Sequence, residues 1–522
     1  MSDKCSNTFP HQCDLKKYKD SNECILHCDK KEMSSLDNPY FTEPKLFYNH
    51  LISFIVNDIF KTSVETSVFN KSNVESYLRG EETKEHESVI HFLEKKKITF
   101  TKFSFPNTDD REHYDYELVL KKLSKIWFNY CNFYVPHLSI ENVECFFQDC
   151  NFHEYWSLKN FKVSEELDDL EVYNTCIFHK DVSASGREKD KYSLDNVQFN
   201  GCTFKKELTF ENVNALKPIF KDWDEFKSNI NTLKINDCNF ENRFILNNYT
   251  IENLFLKNTI FKGKFEFTNN TVKEMNINNC NFEKLAEFYG SIFNQFKIFK
   301  SIFTDYTGFE KCEFGIDNNM EESHIANFQY VTFLSFINFR NTKFKCGLMF
   351  EDTNLKEYPN FLNSEIKFEN TSKETFRIIK YSFDKLGNHI EANKYFSLEM
   401  KKHKVELSKN GDWGQERFIF WFNEKVSNYG QNYLKPTIWL IVSSLLYTLL
   451  IVLSGNIELK NYIREHDTIL SIIKFLNSWF SSIIIFKKLL PKNLEFLTVI
   501  FTVLQSTLIW HILVAVRSHT KR

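Results

Sequence analysis

Three cysteines and one histidine near the N-terminus have the residue types of a metal site. They are Cys5, Cys13, Cys24 and His27. Three thiolates and an imidazole form a ligand set that suits tetrahedral zinc. Residues 1–35 are polar and too short to bury a core. A bound metal would therefore supply folding energy that this segment cannot obtain otherwise.

The spacing of these residues leaves two interpretations open. Cys24 and His27 are separated by two residues, and this pair resembles one half of a zinc knuckle, whereas Cys5 and Cys13 lack the usual spacing of two to four residues. Two other residues of the segment, Cys28 and His11, are spare ligands. A structural zinc site and an unstructured tail both fit this pattern.

No motif of a common enzyme class occurs in the sequence. The chain lacks a Gly-x-x-x-x-Gly-Lys loop, a Gly-x-Ser-x-Gly elbow and a His-Glu-x-x-His pair. Its Asp and Glu residues are scattered over positions that we expect to face outward, which is typical of a charged surface. The sequence predicts that the protein is not an enzyme.

Charge and cysteine usage indicate a chain in a reducing compartment. The 69 acidic and 66 basic side chains nearly cancel, so no strong field attracts nucleic acid. Cys-x-Phe motifs recur along the chain, and we expect the thiols of seven of these cysteines to be buried. They are Cys131, Cys150, Cys176, Cys202, Cys238, Cys280 and Cys312. Because no N-terminal secretory signal precedes them, we expect a cytoplasmic and reduced domain.

A repeat of 21 residues organises the stretch from Leu233 to Gly315. The step separates Phe240, Phe261, Phe282 and Phe303. Each repeat divides into four groups of five residues and one extra residue, which we expect at a corner of the coil. The extra residues are Arg243, Lys264, Leu285 and Tyr306. Self-similarity of this length is typical of a stacked solenoid.

The groups of five predict parallel strands with an aromatic core. The central residue of each group is large and apolar, and the residue two before it is often small or a cysteine. Side chains two apart on extended backbone point to the same side, so both face the interior of the coil. We therefore expect Phe282 to stack between Phe261 and Phe303, in a ladder that explains the 55 phenylalanines of the chain.

This pattern resembles the pentapeptide-repeat proteins, whose unit has a small residue, a polar residue and then Leu or Phe. The resemblance covers residues 97–370, with Cys, Thr or Ser where Ala is usual. It implies a mainly β fold, a right-handed quadrilateral parallel β-helix of about 21 residues per coil. The family has no common activity. Some members imitate DNA with an acidic face, but the ten acidic and ten basic residues from Asn231 to Gly315 disfavour that function here.

Helical patterns flank the repeat. Residues 36–96 predict a helical cap at one end, and residues 371–410 predict a helical hairpin that begins at the capping box Thr371-Ser-Lys-Glu374 and covers the other end. Two insertions, Gly186–Lys191 and Trp223–Phe226, interrupt the coils. Solvated loops are their expected structure.

The C-terminal part predicts a membrane anchor. Residues 411–433 read as an amphipathic juxtamembrane helix. Residues 434–522 hold two apolar segments, Thr437–Ser454 and Leu494–Val516, each near the ~20 residues that cross a bilayer. Between them, residues 469–490 fit a third span, a re-entrant helix or an interfacial helix. Basic residues beside both spans favour both ends of the chain on the inner side.

These features predict a multi-pass protein of the bacterial inner (cytoplasmic) membrane. Its repeat domain would be a rigid cytoplasmic scaffold for protein partners, with no nucleic-acid partner and with a homo-oligomer left open. The alternative is a channel-like protein with a regulatory repeat domain, because a span, a half-buried helix and a second span resemble the pore module of two-helix ion channels. No Gly-rich filter lies between Trp479 and Pro491, which favours the anchor.

Overall fold

The structure is a computed structural model, and it describes residues 4–7, 13–30, 42–66, 69–81, 86–107, 114–162, 171–221, 228–316, 322–409, 414–454, 468–483 and 494–520. The chain divides into two compact units. Unit 1 consists of Met1–Gly347, Asp352–Glu357 and Leu362–Ile366, and unit 2 consists of Leu348–Glu351, Tyr358–Phe361 and Lys367–Arg522.

Most of the described helices flank the strands in the sequence. Those of unit 1 are α1 Thr42–Thr62, α2 Lys71–Arg79, α3 His86–Leu93 and α4 Tyr116–Leu120, with a short 3-10 helix at Glu322–His324. Those of unit 2 are α5 Lys373–Lys385, α6 His389–Lys409, α7 Gln415–Ser427, α8 Leu434–Leu453, α9 Thr468–Ile483 and α10 Glu495–Thr520.

Short strands occupy the middle of the chain. The first half comprises β1 Lys97–Thr101, β2 Ser104–Phe105, β3 Lys125–Asn129, β4 Asn132–Phe133, β5 Glu144–Gln148, β6 Asn151–Phe152, β7 Trp156–Ser157, β8 Tyr173–Asn174, β9 Ile177–Phe178, β10 Val182–Ser185, β11 Tyr192–Leu194, β12 Phe199–Asn200, β13 Thr203–Glu211, β14 Val213–Ala215, β15 Ser228–Asn236, β16 Asn239–Phe240 and β17 Phe244–Ile245. The second half comprises β18 Tyr249–Lys257, β19 Ile260–Phe261, β20 Phe265–Glu266, β21 Thr271–Asn278, β22 Asn281–Phe282, β23 Ala286–Glu287, β24 Ile292–Phe299, β25 Ile302–Phe303, β26 Thr307–Gly308, β27 Glu313–Phe314, β28 Ala326–Gln329, β29 Thr332–Phe333, β30 Ile337–Asn338, β31 Lys343–Phe344, β32 Leu348–Met349, β33 Asn354–Leu355 and β34 Glu365–Ile366.

The strands of unit 1 pair in parallel and form long stacks. The stack orders are β1-β3-β5-β8-β12, β2-β4-β6-β9-β13-β15-β18-β21-β24-β27-β31-β34, β11-β14-β16-β19-β22-β25-β29-β33 and β17-β20-β23-β26-β30. Within a stack, each strand pairs with the equivalent strand of the next coil. The predicted solenoid-like stack of parallel strands is confirmed.

In the regular part, the register follows the 21-residue step. Leu233 lies opposite Leu254, Leu254 opposite Met275, and Met275 opposite Phe296. A coil contributes one long strand, such as β18 with 9 residues, and two short strands of 2 residues, such as β19 and β20. The predicted extra residues lie in the gap between the two short strands of each coil: Arg243, Lys264, Leu285 and Tyr306.

The predicted aromatic ladder forms the core of these coils. The ring centroids of Phe261 and Phe282 are 4.9 Å apart, and those of Phe282 and Phe303 are 4.4 Å apart with nearly parallel planes. All three side chains are buried. The rings therefore fill the interior at the spacing of the strands, which is about 4.8 Å.

The coils before Val213 carry an equally continuous ladder, although their repeat length is irregular. Phe105, Phe133, Phe152, Phe178 and Phe204 stack in this order with centroid distances of 5.0, 4.9, 4.6 and 5.0 Å. The insertions change the length of the chain between these positions without changing the stack. The Cys-x-Phe motif marks four of these five rings, so aligning the motif instead of counting residues would have revealed the register.

Corners of the coils use left-handed backbone. Asp237, Asn258, Asn279 and Lys300 have φ between 49° and 56° and occupy one corner of successive coils. Asn and Asp tolerate this conformation better than most residues because their short polar side chains can hydrogen-bond locally. Here Asn258 Nδ2 donates to Asp237 Oδ1 at 3.0 Å, and Asn279 Nδ2 donates to Asn258 Oδ1 at 2.9 Å. The amide ladder thus stabilises a strained corner.

A helical cap covers the first coil of unit 1, as predicted. Helix α1 places Phe47 against Phe105 with a centroid distance of 6.0 Å, and Phe54 against Phe103 at 4.8 Å. This packing buries the apolar end of the aromatic ladder. Of the two predicted insertions, Gly186–Lys191 forms a turn closed by a bridge between Arg187 and Asp190, and Trp223–Phe226 lies outside the described residues.

In unit 2, helices α5 and α6 form the predicted hairpin, but the predicted capping box is wrong by one residue. Ser372, not Thr371, is the N-cap of α5, and its side chain accepts a hydrogen bond from Thr375 N. The Thr371 hydroxyl instead donates to Lys367 O at 2.6 Å, since it is fully buried and must find a partner there. Gly387, with φ of 74°, follows α5 in the turn to α6.

Two helices of unit 2 are long and apolar enough to cross a membrane. They are α8 and α10, with mean hydropathies of 2.1 and 2.0 over their most apolar windows. Only 33% and 28% of those windows are buried in the structure, unlike the core helix of a soluble domain. Helix α9 begins one residue before the segment predicted at residues 469–490 and covers it to Ile483, and residues 484–490 lie outside the described residues.

The aromatic core predicts a sharp difference between two adjacent positions. Phe282→Ala removes the centre of the ladder and should reduce the free energy of unfolding by roughly 3–5 kcal/mol. Asn281→Ala should cost far less, because Asn281 is only partly buried and its Oδ1 has no hydrogen-bond partner in the described part of the chain. Thermal unfolding of the full chain in detergent measures both variants. Equal shifts of the melting temperature would contradict the inward and outward assignment.

Candidate metal centre

Residues 4–7 and 13–30 fold into a small unit, here called the N-terminal knuckle. The Cys5 N–H donates to Leu15 O at 2.9 Å, and the Cys13 N–H donates to Asn7 O at 3.0 Å. These bonds hold two widely spaced cysteines beside each other. The segment therefore has local structure, which favours the first of the two interpretations of its sequence.

A single turn presents the other two side chains. The N–H groups of His27 and Cys28 both donate to Cys24 O, at 3.1 and 2.9 Å. The Cys24 N–H donates in turn to Cys5 Sγ at 3.2 Å. The turn thus directs Cys24 and His27 toward the sulfur of Cys5.

The predicted residues Cys5, Cys13, Cys24 and His27 converge on one point. Their ligand atoms all lie within 4.8 Å of one another. Cys13 Sγ is 3.7 Å from Cys24 Sγ, and His27 Nδ1 is 3.1 Å from Cys24 Sγ and 3.6 Å from Cys5 Sγ. Sequence spacing alone could not show this convergence, because it depends on the backbone bonds that close the knuckle.

These distances fit a tetrahedral metal ion. Metal–sulfur bonds of about 2.3 Å and metal–nitrogen bonds of about 2.0 Å require sulfur–sulfur edges of roughly 3.8 Å and sulfur–nitrogen edges of roughly 3.6 Å. The 3.7 Å and 3.6 Å distances match these edges, and the 3.1 Å distance needs a small outward movement. The four side chains can hold a metal ion.

The electrostatics of the cluster also favour a cation. The hydrogen bond from the Cys24 thiol lowers the pKa of the Cys13 thiol, and His27 contributes in the same direction. That same hydrogen bond, together with burial, raises the pKa of Cys24. Without a metal ion, the protein therefore favours the thiolate of Cys13 and disfavours the thiolate of Cys24. A metal cation removes this conflict because a coordinating thiol is deprotonated.

Of the two spare ligands, Cys28 does not join the cluster. Cys28 is buried, and the Nζ of Lys30 donates to its Sγ at 3.2 Å and to its carbonyl oxygen at 2.6 Å. Lys30 is only 1% exposed, and burial lowers the pKa of its ammonium group. The role of spare ligand that the sequence suggests for Cys28 has no support in this geometry, because its thiol faces Lys30. His11 lies outside the described residues.

The knuckle packs on the first coil of the solenoid, which the sequence did not predict. Ser104 N–H donates to Leu26 O at 2.8 Å, and Ser104 Oγ donates to His27 O at 3.1 Å. The His27 ring also contacts Phe103 edge-on at 5.2 Å. Because Ser104 begins strand β2, the knuckle partly covers a strand edge that would otherwise be open.

The remaining cysteines form no second centre among the described residues. The seven thiols predicted to be buried are buried, and so are Cys145, which also begins a Cys-x-Phe motif, and Cys346. Burial raises the pKa of the thiols of Cys150, Cys176 and Cys202 well above the usual value. Their Sγ atoms donate to backbone carbonyls, for example Cys150 to Phe128 O at 3.2 Å. These thiols are packing groups that donate to backbone carbonyls of the strands.

Comparison of the chain with family models, with curated proteins and with solved structures gave no match. The description of the centre therefore rests on the residues themselves, namely the identity of the four ligands, their distances and the hydrogen bonds that hold them.

Metal analysis tests the centre directly. Full chain purified without chelator should contain one transition-metal ion, and Cys24→Ser should lose it because three ligands remain. Cys28→Ser is the matched control, since it removes a thiol of the same turn that lies outside the cluster, and it should keep the metal. Elemental analysis of the three proteins decides the outcome. Equal metal contents in the two variants, or none in the wild type, would contradict the assignment.

Proposed function

We propose that this chain is a membrane-anchored scaffold that presents a rigid solenoid surface to protein partners in the cytoplasm. The observation that carries the proposal is the continuous stack of parallel strands around one aromatic core in unit 1. A solenoid of this kind offers long faces of fixed side-chain geometry, which suits it to binding partners by display.

The solenoid is best explained as a right-handed quadrilateral β-helix of the pentapeptide-repeat type. The pairing of the long strands supports four sides. In these long strands, Asn231, Glu252 and Lys273 interrupt the register of paired residues, so each long strand consists of two shorter paired parts. Together with the two short strands, these parts make four sides per coil, as the groups of five predict.

Helices α8 and α10 supply the anchor in this proposal. They run antiparallel, because Tyr447 donates to Thr498 Oγ1 at 3.1 Å while Ser518, near the other end of α10, donates to Gly430 O at 2.7 Å. Their exposed faces are apolar, with Leu449 and Val503 each more than half exposed. An antiparallel pair with lipid-facing side chains crosses a bilayer and returns.

Charge and redox state support the proposed orientation of the chain in the membrane. Lys435 at the start of α8 and Arg517 near the end of α10 lie on the same side of the pair, which favours that side for the cytoplasm. The described cysteines form no disulfide, as expected in a reducing compartment. We accordingly place the solenoid on the cytoplasmic side of a bacterial inner membrane, in a multi-pass protein.

Zinc is the metal that we assign to the knuckle. It would be held by Cys5 Sγ, Cys13 Sγ, Cys24 Sγ and His27 Nδ1, a closed set of four protein ligands. Such a set leaves no position for water or substrate, so zinc would supply folding energy and no reaction chemistry. Its role would be to fix the knuckle on the first coil.

Two measurements test the anchor against the channel. The full chain expressed in bacteria should stay in the membrane fraction after alkaline carbonate extraction, because α8 and α10 are integral. Purified protein reconstituted in planar bilayers should give no unitary currents, since an anchor has no conducting path. Release by carbonate would contradict the anchor. Discrete currents altered by Lys474→Glu would favour the channel.

A further inference from the structure

One corner of the solenoid carries exposed apolar side chains. Ile302 is 42% exposed, Tyr330 is 57% exposed and Leu334 is 41% exposed. The Phe299 ring is half-buried and contacts the Tyr330 ring at 5.7 Å. We call this surface the corner patch, and it consists of Lys297, Phe299, Lys300, Ile302, Tyr330 and Leu334.

The neighbouring coils show that the stack does not require these residues. Phe299 lies in register with Asn278, and Asn278 lies in register with Lys257. Ile302 lies in register with Asn281. The previous coil therefore places amides where the corner patch places a ring and a branched aliphatic chain, on the same outward positions. The stack therefore does not require apolar residues at these two positions.

The corner patch also carries two positive charges. Some outward lysines of the solenoid pair with glutamates of the adjacent coil, as Lys262 does with Glu241 at 2.8 Å and Lys273 with Glu252 at 3.0 Å. Lys297 and Lys300 form no ion pair with the described residues.

Their ammonium groups lie over the Phe299 ring instead, with Nζ at 5.7 Å from the centroid for Lys297 and 5.1 Å for Lys300. Two cations that have no acidic partner among the described residues therefore border the apolar side chains. An acidic ligand that covers the apolar side chains of the patch would place its negative charges beside these two ammonium groups.

We propose that the corner patch binds an extended protein segment in which acidic residues flank an aromatic or aliphatic side chain. This inference rests on the proposed scaffold function and names the partner of its surface. The apolar side chain of the segment would cover Ile302 and Leu334, and its carboxylates would pair with Lys297 and Lys300. Burial of apolar area gives affinity, and charge gives orientation and selectivity.

Other occupants fit the same surface less well. A second copy of the chain in a symmetric contact would bring the two unpaired lysines of one copy against those of the other. Nucleic acid needs a wider basic surface, but the stretch from Asn231 to Gly315 has ten acidic and ten basic residues. A bilayer surface spans many coils, and the neighbouring paired charges give it no net attraction.

A peptide selection tests the proposal without a known partner. The probe is a library of random dodecapeptides displayed on phage, selected on the full chain in detergent micelles. Counter-selection uses a double variant, Phe299→Asn with Tyr330→Asn, which restores the side-chain type of the equivalent corner in earlier coils and should fold. Enriched peptides should carry acidic residues around an aromatic or aliphatic residue.

The matched control is Ile260→Asn, a substitution on the same outward position as Ile302 two coils away. The best enriched peptide, made synthetically, should bind the double variant at least about tenfold more weakly than wild type and bind the Ile260→Asn control unchanged. Replacing Lys297 and Lys300 by glutamate should also abolish binding, because it inverts the charge of the patch.

Several outcomes would overturn the inference. They are enrichment of neutral or basic peptides, no enrichment that depends on the patch, and patch-dependent binding of anionic vesicles, of a single-stranded oligonucleotide or of a second copy in sedimentation analysis. Failure of the scaffold proposal can be distinguished from failure of the corner-patch inference, because carbonate extraction tests the anchor without any peptide. A chain that is not anchored but binds acidic peptides at this corner would retain the inference and lose the proposed function.

Discussion

The in-register stacking of inward side chains is the interaction on which the rest of unit 1 depends. Each coil closes only a few backbone hydrogen bonds of its own, and its apolar face has no partner within the coil. Phe282 is covered because Phe261 and Phe303 lie directly above and below it. Stability is therefore a property of neighbouring coils, as in other repeat proteins. The ends of such a stack are its weak points.

The covered first coil and the corners of unit 1 both stabilise the stack. Helix α1 and the N-terminal knuckle cover the first coil, one by aromatic packing and the other through the hydrogen bonds of Ser104. The corners must reverse the chain every few residues, and left-handed Asn and Asp residues do so while their amides pair between coils. A metal ion in the knuckle would act at the same end, since the ligand His27 contacts Phe103.

Much of this fold could be read from the sequence because periodicity determines which side chains face inward. The 21-residue step gave the register of Phe240 to Phe303, and the residue types gave the four side chains of the metal centre. The convergence of Cys5 and Cys13 could not be read, because it depends on backbone bonds to Leu15 and Asn7. The N-cap of α5 was misplaced because Ser372 and Thr371 are both good caps, and only burial of Thr371 decides between them. The corner patch was not predicted because the groups of five place Phe299 and Ile302 outward but do not show that Tyr330 of the next coil contacts Phe299.

The central claim is that a rigid solenoid is held at a membrane by α8 and α10. Hydrogen–deuterium exchange of the full chain in lipid nanodiscs tests it most directly, because protection reports both stacked strands and lipid-covered helices. The account predicts slow exchange in β18, β21 and β24, lost together on unfolding, and slow exchange in α8 and α10 that disappears when lipid and detergent are removed. Fast exchange in the three strands, or protection of α8 and α10 that does not depend on lipid, would contradict it.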